Sequence, residues 1–521
     1  MRLHDFLDYW ARERPEAEFA IAGADSMTYA EAASLANRMA NRLVTLGCRK
    51  GTRVGLVAKN TAWYPVLYFA ASKAGVVLLP VNWRLLPSEW LGILNDAAPS
   101  VLIVGREQVA GAEEIRGELT CVEHFVAEDG EDRRGWQSLD RWLSEGPAVP
   151  PEVEVGPSDS LYQMYTSGTT GAPKGAVLSH DAVTANVVQV GLAHPVSPGD
   201  RGLVVLPLFH AAVIPAAFSV ICRGGSVSVL DAFDPEHVVR VLDDERISVA
   251  TLVPAMLQAC LVTVRDVAQR RYERLRSIYY GASPIAEETL RGAIDAFGCG
   301  FVQSYGMTEA AQALTFLSEA DHRLALETRP ELLLSAGRPA VGTVLRLVDP
   351  EDVWTTPGGS GEIVARGPQL MSGYWQRPQE TAQALRHGWL HTGDVGRVDE
   401  EGYLFVEDRI KDMIVSGGEN VYPRIVEEVL FRHPAIAEAA VIGVPDGQWG
   451  EAVKAVVVSR PGIVCTEAEI LAFCRSRLGG FERPRSVDFV DALPRTATGK
   501  VLKRALREPY WVGRERRVSG A

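Results

Sequence analysis

YTSGTTGAPKGAVLSH, residues 165–180, is a short apolar run that ends in three glycines and four hydroxyl side chains within a few positions. Such a loop can wrap phosphate. Glycine lets the main chain approach an anion closely, successive amides point at its oxygens, and Thr166, Ser167, Thr169 and Thr170 add hydroxyl donors beside Gly168 and Gly171. Lys174 supplies the countercharge. The segment is not a Walker A loop, because the lysine follows Ala-Pro and precedes Gly175 where that motif needs Ser or Thr. A surface connector would have the same composition, so the loop alone leaves both readings open.

Around this stretch, short β-branched runs such as RVGLVA (53–58) and APSVLIV (98–104) alternate with longer helical patterns, which indicates α/β architecture. In residues 28–47, Ala32, Leu35, Met39, Leu43 and Leu46 recur at threes and fours and Gly47 closes the helix. From about residue 340 the texture turns to shorter strands between Gly and Pro turns, as in TTPGGSGEIVARG (355–367), a β-rich subdomain. A boundary falls near Asp408 to Asp412. Beyond it, residues 422–446 read helix, turn, strand, and AVKAVVVS (452–459) reads as another strand, giving a small α+β domain. The last dozen residues read as a basic, poorly ordered tail.

The 521 residues exceed one ordinary core, so cooperating domains are expected. A net charge of −13, from 53 Lys+Arg against 66 Asp+Glu, argues against a general nucleic-acid binder. Seven cysteines without a CxxC point to a reducing, cytoplasmic setting, with neither a disulfide framework nor a zinc site. The N-terminus lacks the layout of a secretory signal. The apolar stretch from Leu203 to Cys222 is broken by Pro207, His210 and Pro215 and reads as buried strand and helix, not as an integral membrane segment. Peripheral membrane contact and homo-oligomer formation are left open.

YTSGTTGAPKG resembles the phosphate-binding signature of the adenylate-forming superfamily, which includes acyl-CoA synthetases, peptide-synthetase adenylation domains and luciferases. Later segments match that family's motifs in order, from LPLFH (206–210) to PRTATGK (494–500), across nearly the whole chain. The resemblance implies a large N-terminal α/β domain over residues 1–409, with two β-sheets, helices and the β-rich subdomain, and a small mobile α+β lid over 410–521. QSYGMTE (303–309), read alone, is a strand-end turn with a solvated glutamate. The resemblance implies instead that Tyr305 packs on adenine, with Gly306 in the same ATP-binding set, that Thr308 meets the α-phosphate, and that Glu309 with Thr166 holds Mg²⁺, a hard cation suited to oxygen ligands. Gly281, Ala282 and Ser283 resemble the segment facing the adenine ring. Asp394 and Arg409, by default a turn aspartate and an ion-paired surface arginine, are assigned to the ribose hydroxyls.

Lys500 precedes a helix in a loop rich in Gly and Thr. The resemblance gives it the main catalytic role, bridging the substrate carboxylate and the α-phosphate, where a fixed cation contributes about 3 kcal/mol to the transition state. His210, otherwise a core histidine, is placed beside the carboxylate. The small apolar residues after it, Val213, Ile214 and Ala217 among them, would line a roomy, uncharged acyl pocket. An amine-pairing acidic residue is missing there, which points away from amino acids. Lys411 matches the family's hinge, and Ser416, Gly417, Gly418, Glu419 and Asn420 match the loop presented for thioester formation. The implied activity is that of an AMP-forming acyl-CoA synthetase using ATP, Mg²⁺ and coenzyme A on a fatty or other hydrophobic acid. Ligation of an aryl or polycyclic acid, loading of a carrier protein, luciferase-like oxidation and a silent nucleotide binder are the rival readings.

Overall fold

In the computed structural model, residues 1–128, 135–166, 173–283, 285–356, 358–409, 412–417, 419–460, 462–495 and 501–512 are described. Two large sheets dominate. In the first, nine strands lie side by side, and six neighbours at its centre, Glu18–Ala22, Ser226–Val229, Arg201–Val204, Val249–Leu252, Ser277–Gly281 and Gly300–Tyr305, are parallel. In the second, of eight strands, a parallel set ends at Ser160–Thr166, which turns back antiparallel into Lys174–Ser179. Parallel strands buried on both faces need continuous apolar sequence, and runs such as VLIV at 101–104, with all four residues buried, supply it.

The helices fit the same logic. Tyr29–Thr45 starts at a capping box in which Thr28 and Glu31 bond each other's backbone, and it buries Ala32, Met39 and Leu43. The expected strand and helix in residues 203–222 are Arg201–Val204 and Ile214–Cys222, with Pro215 tolerated in the first turn, where no amide partner is lost. Among the described residues, no helix is long and apolar enough to cross a membrane. The main core runs between the sheets and joins Tyr64, Tyr68 and Phe69 to Phe218 and Ile221.

A four-stranded antiparallel sheet, Val344–Val348, Ser360–Arg366, Leu390–Val398 and Leu404–Arg409, forms the β-rich part expected from about residue 340. A last sheet takes its strands from residues 414–489, with the long hairpin Ile436–Asp446 and Gly450–Ser459 at its centre and helix Pro423–Phe431 packed on it. This mixed α/β architecture is the one the sequence predicts. The basic tail lies largely outside the described residues.

One buried side chain fixes the LPLFH segment. Asn60, 4% exposed, donates to the Leu206 carbonyl at 2.9 Å and the Leu230 carbonyl at 3.1 Å, and accepts from the Leu208 amide at 2.8 Å. Asn60→Leu keeps the volume but strands these backbone groups. It should lower stability by about 2 kcal/mol, read as a drop in the urea midpoint at unchanged slope. A shift below roughly 0.5 kcal/mol would show that the segment does not depend on Asn60.

Candidate active site

Strands Ser277–Gly281 and Gly300–Tyr305 are adjacent and parallel, so their C-terminal ends open on the same edge. Gly281, Ala282 and Ser283 leave the first, with Ala282 in the left-handed region at φ +68°. Tyr305 ends the second, and Gly306, Thr308 and Glu309 follow in a tight turn. A Cβ at Gly306 would overlap the Gln312 carbonyl oxygen, so the turn closes only around glycine.

The turn is held from two sides. On one, the Tyr305 hydroxyl donates to Asp394 Oδ2 at 2.8 Å, and Asp394 Oδ1 lies 3.4 Å from Arg409 Nε across the paired strands Leu390–Val398 and Leu404–Arg409. Burial, reinforced by the Asp394 carboxylate, keeps the Tyr305 phenol well above its ordinary pKa, so it stays a neutral donor. Burial works against the charge of Arg409, but the Asp394 and Asp412 carboxylates outweigh it and raise its pKa. The three residues expected to meet the nucleoside are thus brought together from three strands.

On the other side, Glu309, 6% exposed, accepts from the Tyr374 hydroxyl at 2.8 Å. Lys174 Nζ stands 5.4 Å from the centroid of the same ring. Lys174 pairs with Thr166 across the hairpin, and the Thr166 hydroxyl reaches the Lys174 carbonyl at 3.5 Å. The Lys174 end of the hydroxyl-rich loop therefore lies beside Tyr374, whose hydroxyl reaches Glu309. Ser167, Gly168, Thr169, Thr170 and Gly171 lie outside the described residues, as do Lys411, Gly418 and Lys500. The loop that carries Lys500 is closed at its base by an antiparallel bridge between Arg495 and Val501, and the next helix is anchored by Lys503 Nζ on Glu427 Oε1 at 2.8 Å.

His210 ends the LPLFH segment with its ring 4.2 Å from that of Phe209. Val213, Ile214 and Ala217 are buried in the main core, where Ala217 also borders a small cavity. Ser416, Gly417, Glu419 and Asn420 form a hairpin, with the Gly417 amide donating to the Trp449 carbonyl at 2.8 Å.

Two residues that the sequence reading passed over prove structural to the site. Tyr374, in SGYW at 372–375, joins Glu309 to Lys174. Glu362 accepts from His391 Nδ1 at 2.8 Å and the Gly393 amide at 3.0 Å, and so fixes the turn that presents Asp394. With Asp352 and His391 it forms an acidic cluster of metal-binding spacing, but Arg386 donates into it, at 2.8 and 2.9 Å to Asp352 and 3.2 Å to Glu362, so the cluster already has its cation. The signal was a charged residue alone in a β-rich run, which has many solvated precedents.

The donor set suits a nucleotide and a hard cation: hydroxyls and a carboxylate at Thr166, Thr308 and Glu309, and a phenol, a carboxylate and a guanidinium at the other end. The AMP-binding enzyme family matches residues 7–375, and the AMP-binding enzyme C-terminal domain matches residues 425–500. A feruloyl-CoA synthase of Amycolatopsis sp is 39% identical over 502 residues, covering 96% of this chain and 97% of that protein. A long-chain-fatty-acid–CoA ligase of Mycobacterium tuberculosis is 37% identical over 484 residues, 93% of each chain. The crystal structure of ATP-bound MatB from Rhodopseudomonas palustris superposes with a TM-score of 0.89 at 31% identity, covering 98% of this chain and 99% of that one. By its motifs, its sheets and these relatives, the chain belongs to the AMP-binding, adenylate-forming enzyme family.

Proposed function

We propose that the chain is an AMP-forming acid–thiol ligase that converts a hydrophobic carboxylic acid first to its acyl-adenylate and then to its coenzyme A thioester. The observation that carries this reading is the meeting of Tyr305, Asp394 and Arg409 beside a glycine turn that runs on into Thr308 and Glu309. A cytoplasmic location, where ATP and coenzyme A are both held, fits it. Relatives that act on an aryl-propenoic acid and on long-chain fatty acids support an uncharged acyl site.

In the first half-reaction a carboxylate oxygen bonds to the α-phosphorus as the bond to the bridging oxygen breaks, and pyrophosphate leaves. No protein nucleophile is needed. Tyr305 offers a ring face to adenine, while Asp394 and Arg409 hold the ribose hydroxyls. Thr308, with the hydroxyls of the loop from Thr166 to Thr170, donates to phosphate oxygens, and Lys174 balances their charge. Glu309 and Thr166 would hold Mg²⁺, which would supply charge neutralisation along the phosphate chain. His210 faces the acid. Lys500 brings its ammonium to the point where carboxylate and phosphate charges crowd together. In the second half-reaction the thiol sulfur bonds to the acyl carbon, the acyl–oxygen bond to AMP breaks, and AMP leaves. Residues 410–521 act as the lid that separates these steps, turning about Lys411 so that the segment from Ser416 to Asn420 replaces the segment that carries Lys500.

Three measurements test this assignment. Lys500→Ala should abolish acid-dependent pyrophosphate release yet leave thioester formation from preformed acyl-adenylate largely intact; loss of both removes its assigned role. Lys411→Pro, which freezes one backbone torsion, should slow thioester formation on the order of tenfold or more while adenylation changes less than about twofold; equal slowing of both steps would rule out a hinge. Tyr374→Phe deletes only the hydroxyl on Glu309 and should raise the Mg²⁺ concentration needed for ATP binding by roughly tenfold in calorimetry. An unchanged Mg²⁺ requirement would separate Tyr374 from the metal.

A further inference from the structure

Asp96 stands one residue before the end of helix Pro87–Ala97. A carboxylate so near that end is opposed by the helix dipole, which favours a cation there, and its partners come from far along the chain. The Tyr165 hydroxyl donates to Asp96 Oδ2 at 2.5 Å, and Arg377 Nη2 donates to Oδ1 at 2.7 Å, so each oxygen has a different partner, 69 and 281 residues away. The Trp375 indole N–H donates to the Asp96 backbone carbonyl at 3.1 Å. A partly exposed Asp–Arg pair adds little stability by itself, so the position of these partners is what gives the arrangement its interest.

All three partners flank the hydroxyl-rich loop. Tyr165 directly precedes Thr166 in strand Ser160–Thr166. Side chains alternate across a strand, so Tyr165 is gripped from one face while Thr166 is presented on the other. Burial, reinforced by the Asp96 carboxylate, holds the Tyr165 phenol above its ordinary pKa and keeps it a neutral donor. On the returning strand, Lys174–Ser179, the Gly175 carbonyl accepts from the Trp375 amide at 2.8 Å, and Ala176 pairs with Tyr374. Arg53 closes the arrangement. Its guanidinium lies 3.2 Å from the centroid of the Trp375 ring, its Nε donates to Gln163 Oε1 at 3.0 Å, and Gln163 Nε2 donates to the Tyr165 hydroxyl at 3.1 Å.

We propose that Asp96 is a positioning residue for the phosphates of ATP: through Tyr165 it fixes the strand end from which the loop springs, and through Arg377 and Trp375 it fixes the strand to which the loop returns and the segment that carries Tyr374. Its effect is indirect, by way of Thr166, Lys174 and Tyr374. This rests on the reading above in which the loop holds the phosphates of ATP. Pyrophosphate has left before the thioester forms, so the tie matters to the first half-reaction and not to the second.

The test uses the full chain and whichever of cinnamate and octanoate the wild type turns over faster. Asp96→Ala should raise KM for ATP in pyrophosphate release by roughly tenfold or more, while KM for the acid and the rate of thioester formation from preformed acyl-adenylate change less than about twofold. Asp96→Asn, which can still accept from Tyr165, should recover part of the loss. Tyr165→Phe removes the other half of the same bond and should also raise KM for ATP, and its effect should fall well short of multiplying that of Asp96→Ala in the double variant. Should Asp96→Ala not fold, Tyr165→Phe, which deletes a single hydroxyl, carries the same ATP-specific expectation. An unchanged KM for ATP, or equal slowing of both half-reactions, overturns the proposal and leaves the ligase reading standing. Calorimetric titration with ATP and Mg²⁺ needs no acid and keeps the two apart: if the wild type turns over neither acid, ATP binding weakened roughly tenfold in Asp96→Ala still supports the tie, and unchanged binding overturns it.

Discussion

The hydrogen bond from Tyr305 to Asp394 is the tie on which the arrangement of the site depends. It joins residues 89 apart in sequence and links the nine-stranded sheet to the four-stranded one at the point where both present functional groups. A neutral phenol donating to a carboxylate in a place sheltered from water is worth about 1.5–3 kcal/mol. Its larger consequence is geometric. The ring is held at its far end, Asp394 is held by both Tyr305 and Arg409, and the turn from Gly306 to Glu309 is left with one way to close.

Parallel sheets explain why so many of these groups meet. Each strand ends on the same edge, and open α/β sheets bind ligands in the crevice beyond those ends. Gly281 and Tyr305 leave neighbouring parallel strands of one sheet, and Thr166 leaves a parallel strand of the other. Tyr374 then bridges the sheets, because its hydroxyl reaches Glu309 while its ring lies beside Lys174.

Much of this was legible in the sequence wherever the cause is local. The helix expected over 28–47 forms at Tyr29–Thr45 because its apolar spacing and its Thr28/Glu31 cap lie within the segment itself. The prolines that interrupt 203–222 mark a turn and a helix start, and the Gly/Pro-punctuated run after 340 becomes an antiparallel sheet. Asp394 and Arg409 were assigned to a nucleotide only through resemblance to a family, since either alone resembles any turn aspartate or surface arginine. Tyr374, Glu362 and Asn60 were not legible at all. Their partners lie 65, 31 and as many as 170 residues away, and a polar side chain gives no local sign of a distant partner.

The central claim is that a carboxylate oxygen of the acid attacks the α-phosphorus of ATP. Mass spectrometry of the products formed from an acid labelled with oxygen-18 in both carboxylate positions tests this directly, using unlabelled ATP and coenzyme A. Attack at the α-phosphorus predicts AMP carrying one labelled oxygen, unlabelled pyrophosphate, and a thioester that keeps the other label. Unlabelled AMP, or label recovered in inorganic phosphate alongside ADP, would contradict it.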